Sequence, residues 1–138
     1  MQSKKSDWHG IHLGSLNLDE LDNIELPAPE PDGRILTLSN MGMATVNIIG
    51  ISEDFVKFAA KCEKPVLDAG CAYGETSIAA IKAGAKVVIA SDIDERFLNV
   101  IAKDKRLSND DRQRLFYKLG KLPNDIDFPE SSLSAIHM

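Results

Sequence analysis

The run Pro65-Val66-Leu67-Asp68-Ala69-Gly70-Cys71-Ala72-Tyr73-Gly74-Glu75-Thr76 constrains the fold more than any other part of the chain. A short apolar stretch gives way to a turn with small residues at 70, 72 and 74. A segment rich in Ala and Ile then runs to Ala83, just before Gly84. An apolar strand, a glycine turn and a helix stopped by glycine make the opening of a strand–helix–strand unit. Residues 86–91 (KVVIAS) supply the second strand, β-branched and almost wholly apolar, as buried parallel strands are. Asp94 caps a further helix with Phe97, Leu98, Ile101, Ala102 and, towards its end, Leu107 on its inner face, and residues 108–112 read as a polar connection. Residues 115–119 form a third strand. A loop over 120–131 follows, then a fourth strand over 132–137. Ahead of the glycine turn, Ser52-Glu53-Asp54 reads as a helix start, a serine cap with acids in the first turn. Phe55, Val56, Phe58, Ala59 and Ala60 give that helix its apolar face through Cys62. This order predicts an α/β fold with a parallel sheet and helices on both faces.

Residues 1–36 read differently, as an N-terminal extension. Pro27, Pro29 and Pro31 alternate through PAPEPDG and favour extended backbone, so this part is a linker or arm, and the domain proper covers 37–138. Trp8, Ile11 and the leucines of the arm are expected to pack on the body. The 138 residues amount to one domain or slightly less. No run of about 20 apolar residues is present for a membrane span, and MQSKKSDWHG lacks the apolar core of a secretory signal. With 16 basic and 21 acidic side chains the net charge is −5, which argues against a dedicated nucleic-acid binder while leaving local contacts open. Cys62 and Cys71 make neither a disulfide framework nor a four-ligand zinc site, so a cytoplasmic, reduced protein without a metal is expected.

The chemistry suggested by the glycine turn is specific. The helix beginning near Gly74 aims its free N–H groups and positive dipole end at the turn, where an anion is favoured. A dinucleotide fingerprint places glycine where this chain has Glu75, and glutamate repels a pyrophosphate. Asp68, at the strand's end, suits a ligand carrying positive charge. These residues resemble the first motif of the class I S-adenosylmethionine-dependent methyltransferases, an apolar strand followed by D/E-x-G-x-G-x-G. The middle glycine is Ala72 here. Val87-Val88-Ile89-Ala90-Ser91-Asp92 resembles the family's second motif, an apolar strand ending in an acid, and Asp92 lies 18 residues after Gly74. Asp127 to Ile136 resembles the family's approach to its fourth strand, with Ser134 in place of the usual Asp.

The resemblance covers residues 52–138. It implies a Rossmann-like sheet with strands in the order 3-2-1-4, apparently truncated after the fourth of the family's seven strands. It also implies S-adenosyl-L-methionine as methyl donor, with S-adenosyl-L-homocysteine as product, and in-line transfer to an acceptor that the sequence does not identify. The implied cofactor-binding residues are Asp68, Gly70, Cys71, Ala72, Gly74, Asp92 (both ribose hydroxyls), Ile93 (the adenine face), Lys121, Leu122 and His137. Asp125 and Asp127 are weaker alternatives near the adenine. No catalytic base is identified.

Structural readings stand beside these. Asp68 could cap the turn, Asp94 is best explained as a helix cap, and Cys71 as packing. Tyr73 touches the cofactor or shields the loop. His137 faces the acceptor or solvent. Residues 39–45 form a structural loop or a lid, and the basic residues between 103 and 121 form a solvated face. For the whole chain the alternatives are a non-catalytic cofactor-binding or interaction domain, or a nucleotide- or NAD-binding oxidoreductase domain. A fourth strand left at an edge invites pairing, so the isolated chain is expected to self-associate or to be marginally stable.

Overall fold

The computed structural model describes residues 25–38, 42–121 and 128–138, together with two short backbone strands, β1 (Asp7–Trp8) and β2 (Ile11–His12), which pair antiparallel. The expected packing of Trp8 and Ile11, the tip of the 39–45 segment, and Leu122, Asp125 and Asp127 lie outside the described residues.

The central sheet has four parallel strands: β5 (Val66–Ala69), β6 (Val88–Asp92), β7 (Leu115–Leu119) and β8 (Ala135–His137). They lie in the spatial order β7-β6-β5-β8. Register is fixed by Leu67 opposite Ile89 and Ile136, and by Ile89 opposite Phe116. β5 and β6 are buried along their whole length, which accounts for their unbroken apolar character. β8 is shorter than the sequence suggests. Ser134 takes a backbone bond to Pro65 and accepts from the Lys64 N–H, so its side chain closes the amino end of the ladder.

The helices are α1 (Ile51–Ala59), α2 (Glu75–Lys82), α3 (Glu95–Ala102) and α4 (Asn109–Arg114). Phe55, Ala59, Ile78, Ile81, Leu98 and Ile101 pack with Val66, Val88, Ala90 and Leu115 in one cluster on one face of the sheet. The opposite face gathers Leu67, Ala69, Val87, Ile89 and Phe116 under Phe128 and Leu133, with no helical residue among those described. Helices on both faces were the expectation, and the described residues have them on one. The crossovers β5-α2-β6 and β6-α3-β7 step in the same direction across the sheet, so a right-handed connection puts both helices on the same side. Only the β7-to-β8 connection reverses direction, and its described residues are not helical.

Three local expectations change. α1 is entered through Gly50, with φ 59°, and not through a serine cap; Ser52 lies inside the helix with its hydroxyl turned to His137. The polar connection at 108–112 is largely the start of α4, held by a reciprocal box in which Ser108 caps Asp111 and Asp111 accepts from the Ser108 N–H. The unpatterned stretch before α1 contains a hairpin, β3 (Arg34–Leu36) with β4 (Met43–Thr45), which begins three residues before residue 37, the expected start of the domain. Ile35 of the hairpin joins Tyr73 and Phe97 in a third apolar cluster.

Candidate functional site

The four strands end together, so their carboxyl ends bring Asp68, Asp92, Lys121 and His137 to one rim of the sheet, as the turn after β5 brings Gly70, Cys71, Ala72 and Gly74. Open α/β sheets place ligands at this rim, where the strand order reverses. Here the reversal falls between β6 and β8, on either side of β5. A cavity of about 350 Å3 lined by Glu63, Lys64, Pro65 and residues 129–132 lies at the opposite, amino-terminal end of β5 and β8.

The glycine turn is a tight, left-handed path. Gly70, Ala72 and Gly74 have φ of 69°, 47° and 78°. Two backbone bonds shape it, from the Cys71 N–H to the Ser91 carbonyl (2.9 Å) and from the Gly74 N–H to the Cys71 carbonyl (2.8 Å). The two glycines serve different ends. A Cβ on Gly74 would run into the Ile101 side chain, so glycine there lets α2 and α3 close up. A Cβ on Gly70 would meet nothing within 4 Å, so the open space over the turn begins at that residue. Gly74 is also the N-cap of α2 and supplies no side-chain cap, leaving first-turn N–H groups for a ligand.

Asp92 braces this turn. One carboxylate oxygen accepts from the Ala72 N–H and the other from the Asp94 N–H, each at 3.0 Å. The Gly120 N–H bonds the Asp92 carbonyl at 3.0 Å, so the ends of β6 and β7 are fixed together. Ile93, next in the chain, is 66% exposed, an apolar side chain on the open rim. Asp94 caps α3 through the Arg96 N–H and pairs with the Arg96 side chain, whose hydrogen bonds hold the Asp94 carboxyl below its usual range. Lys121 is exposed at the end of β7.

Asp68 is turned inward. It is buried, its Oδ2 accepts from the Ser77 hydroxyl at 2.6 Å, and its Oδ1 lies 2.9 Å from Nδ1 of His137. Nε2 of His137 is 3.0 Å from the Ser52 hydroxyl, and its ring packs on Phe55 at 5.1 Å between centroids. A chain of four side chains therefore links α1, β8, β5 and α2 at the rim. The sequence singled out Asp68 and His137 separately; their pairing rests on β5 and β8 being neighbours, which no local pattern encodes. The hydrogen bond from Asp68 raises the His137 pKa above its ordinary value. Burial pushes the Cys71 thiol well up, with Asp68 and Asp92 adding to the effect, which fits a packing role and removes thiolate character. Tyr73 donates to the Leu36 carbonyl at 2.5 Å, tying the hairpin to the turn, and meets Phe97 edge-on.

Comparison with known proteins bears on this geometry. The family model described as ribosomal protein L11 methyltransferase (PrmA) matches residues 48–128, from the entry to α1 to beyond β7, and so takes in the glycine turn and Asp92. The chain belongs to the ribosomal protein L11 methyltransferase family. The ribosomal protein L11 methyltransferase of Legionella pneumophila (strain Philadelphia 1) is 31% identical over 116 residues, covering 82% of this chain and 37% of that protein. The enzyme of the same name from Prochlorococcus marinus is 41% identical over 61 residues, 44% of this chain and 20% of that protein. The chain thus spans little more than a third of the length of the Legionella relative and a fifth of the Prochlorococcus one. Among solved structures, a dimethyladenosine transferase from Plasmodium falciparum is 28% identical with a TM-score of 0.44, covering 56% of this chain and 27% of that one. His137 lies beyond the stretch that the family model covers.

Proposed function

We propose that this chain is the cofactor-binding portion of an S-adenosylmethionine-dependent methyltransferase whose acceptor is a ribosomal protein of the L11 type. The observation that carries the reading is the glycine turn braced on Asp92, lying within the stretch matched by the family model. The acceptor follows from the names of the matched relatives. The bound cofactor would supply an electrophilic methyl group on a sulfonium.

The residues present fit that group. Gly70 leaves room for close approach, and the uncapped N–H groups at the start of α2 suit a carboxylate. Asp92 keeps lone pairs free beyond the two backbone bonds it accepts, and these suit ribose hydroxyls. Ile93 offers an apolar surface to a purine, and the backbone at Lys121 borders the same space. Asp68, with both oxygens already engaged, acts on the ligand through the turn and through His137. These contacts orient the donor, and in-line transfer depends on such orientation.

Calorimetric titration with S-adenosylhomocysteine tests the reading. Binding is expected, with NAD inert, and Asp92→Asn should weaken it about tenfold, since a charge-assisted hydrogen bond is worth roughly 1.5–3 kcal/mol. A melt of the variant checks that the turn still folds. No heat with S-adenosylhomocysteine would overturn the proposal.

A further inference from the structure

Resting on the cofactor reading, we propose that the Asp68–His137 pair is a charge-reading element that distinguishes the cationic methyl donor from its neutral product. The pair sits at the carboxyl ends of adjacent strands, Asp68 opposite His137 in register, directly before the glycine turn. Nδ1 of His137 is committed to Asp68 at 2.9 Å, so the ring takes up and releases its proton at Nε2, the nitrogen facing Ser52. Protonation of His137 makes the pair one unit more positive. S-adenosylmethionine carries one more positive charge than S-adenosylhomocysteine, located at sulfur. A donor bound with its methionine end towards the pair would be favoured by the unprotonated state, and protonation would weaken that preference.

The groups that face His137 come from β5 and α1. From β5 it faces Asp68, which is also held by the Ser77 hydroxyl of α2. From α1 it faces the Ser52 hydroxyl and the Phe55 ring. Of the acids beside Ser52, Glu53 pairs with Lys57 at 3.1 Å and Asp54 is exposed. The hydrogen bond to Asp68, and then its charge, raise the His137 pKa above its ordinary value against the opposing effect of burial. The sign follows. Raising the pH through that value strips the imidazolium and strengthens donor binding relative to product. By linkage, the donor depresses the His137 pKa more than the product does.

The test is the ratio of dissociation constants for S-adenosylhomocysteine and S-adenosylmethionine, measured by calorimetry on the full chain between pH 5.5 and 8.5. The ratio is expected to rise about five- to tenfold, the size of a solvent-screened interaction between two unit charges. In His137→Asn, which can still donate to Asp68 and does not titrate, it should stay flat. Imidazole nitrogen shifts of His137, followed by NMR with each ligand, should give a lower pKa with the donor. If both ligands bind and the ratio does not change with pH, or if the variant retains the change, this inference fails while the cofactor reading stands. If neither ligand binds, the cofactor reading fails and the inference falls with it.

Discussion

Gly70 and Gly74 share a left-handed backbone, yet substitution should separate them. Alanine at either position meets the steric cost of positive φ, about 1–2 kcal/mol. At Gly74 the added methyl also enters the space of Ile101, and overpacking adds roughly 1–3 kcal/mol. Gly74→Ala should therefore lower the denaturant midpoint well beyond Gly70→Ala. Gly70→Ala, whose methyl projects into open space, should instead weaken S-adenosylhomocysteine binding out of proportion to its stability loss. Equal stability losses in the two variants would contradict these distinct roles. The glycines were legible in the sequence as a pair because a turn between strand and helix calls for them. Their division of labour was not, because the neighbour that decides it, Ile101, lies 27 residues further on. Asp68 shows the same limit. Its position at a strand end was readable, but its orientation depends on Ser77 and on a histidine 69 residues away.

At the scale of elements, α2, β5, β6 and β7 were legible to within a residue or two, because each carries its own apolar pattern and terminating residue; α3 was legible at its Asp94 cap, but it ends at Ala102 and Leu107, read as a continuation of its inner face, lies beyond it. α4 was not, since its six residues are polar throughout and its one buried residue is Asp111. The spacing Ser108-x-x-Asp111 was the available signal, a capping box with aspartate in place of the more common glutamate. Ser108→Ala should cost about 1 kcal/mol of stability, as loss of an N-cap does. Asp111 also binds α4 to α2 through the Lys82 ammonium. That hydrogen bond, with the Ser108 N–H, lowers its pKa to about 2 from an ordinary 3.8. The folded value lies below the unfolded one, so the stabilisation is complete above pH 4 and is lost as pH falls towards 2. Urea midpoints at pH 5 and pH 3 should therefore drop more in the wild type than in Asp111→Asn. A larger drop in the variant would reverse the assignment. The β3–β4 hairpin escaped for another reason. Its strands have three residues each and a single buried side chain, Ile35, whose partners Tyr73 and Phe97 belong to the glycine turn and α3.

Across the whole molecule, stability is unevenly distributed, and the strand order says how. β5 and β6 each have a strand on both sides and no exposed residue between Val66 and Ala69 or between Val88 and Asp92. β8 is paired with β5 alone among the described residues, and Ile136 at its centre is 55% exposed. The hairpin is fastened to the body by the Ile35 cluster and the Tyr73 hydroxyl. Opening a segment costs free energy in proportion to the apolar contacts and shielded hydrogen bonds that it gives up. Amide exchange should therefore be slowest at Leu67, Ile89 and Ala90, where it tracks global unfolding. It should be faster at Ile136 and Ala44, with opening energies several-fold smaller. S-adenosylhomocysteine should then slow exchange in the glycine turn and at the ends of β5 and β6 more than in α4. If β8 exchanges as slowly as β6, the edge strand is an integral part of the core, and the Asp68–His137 pair rests on a firmer base than its single ladder of hydrogen bonds provides.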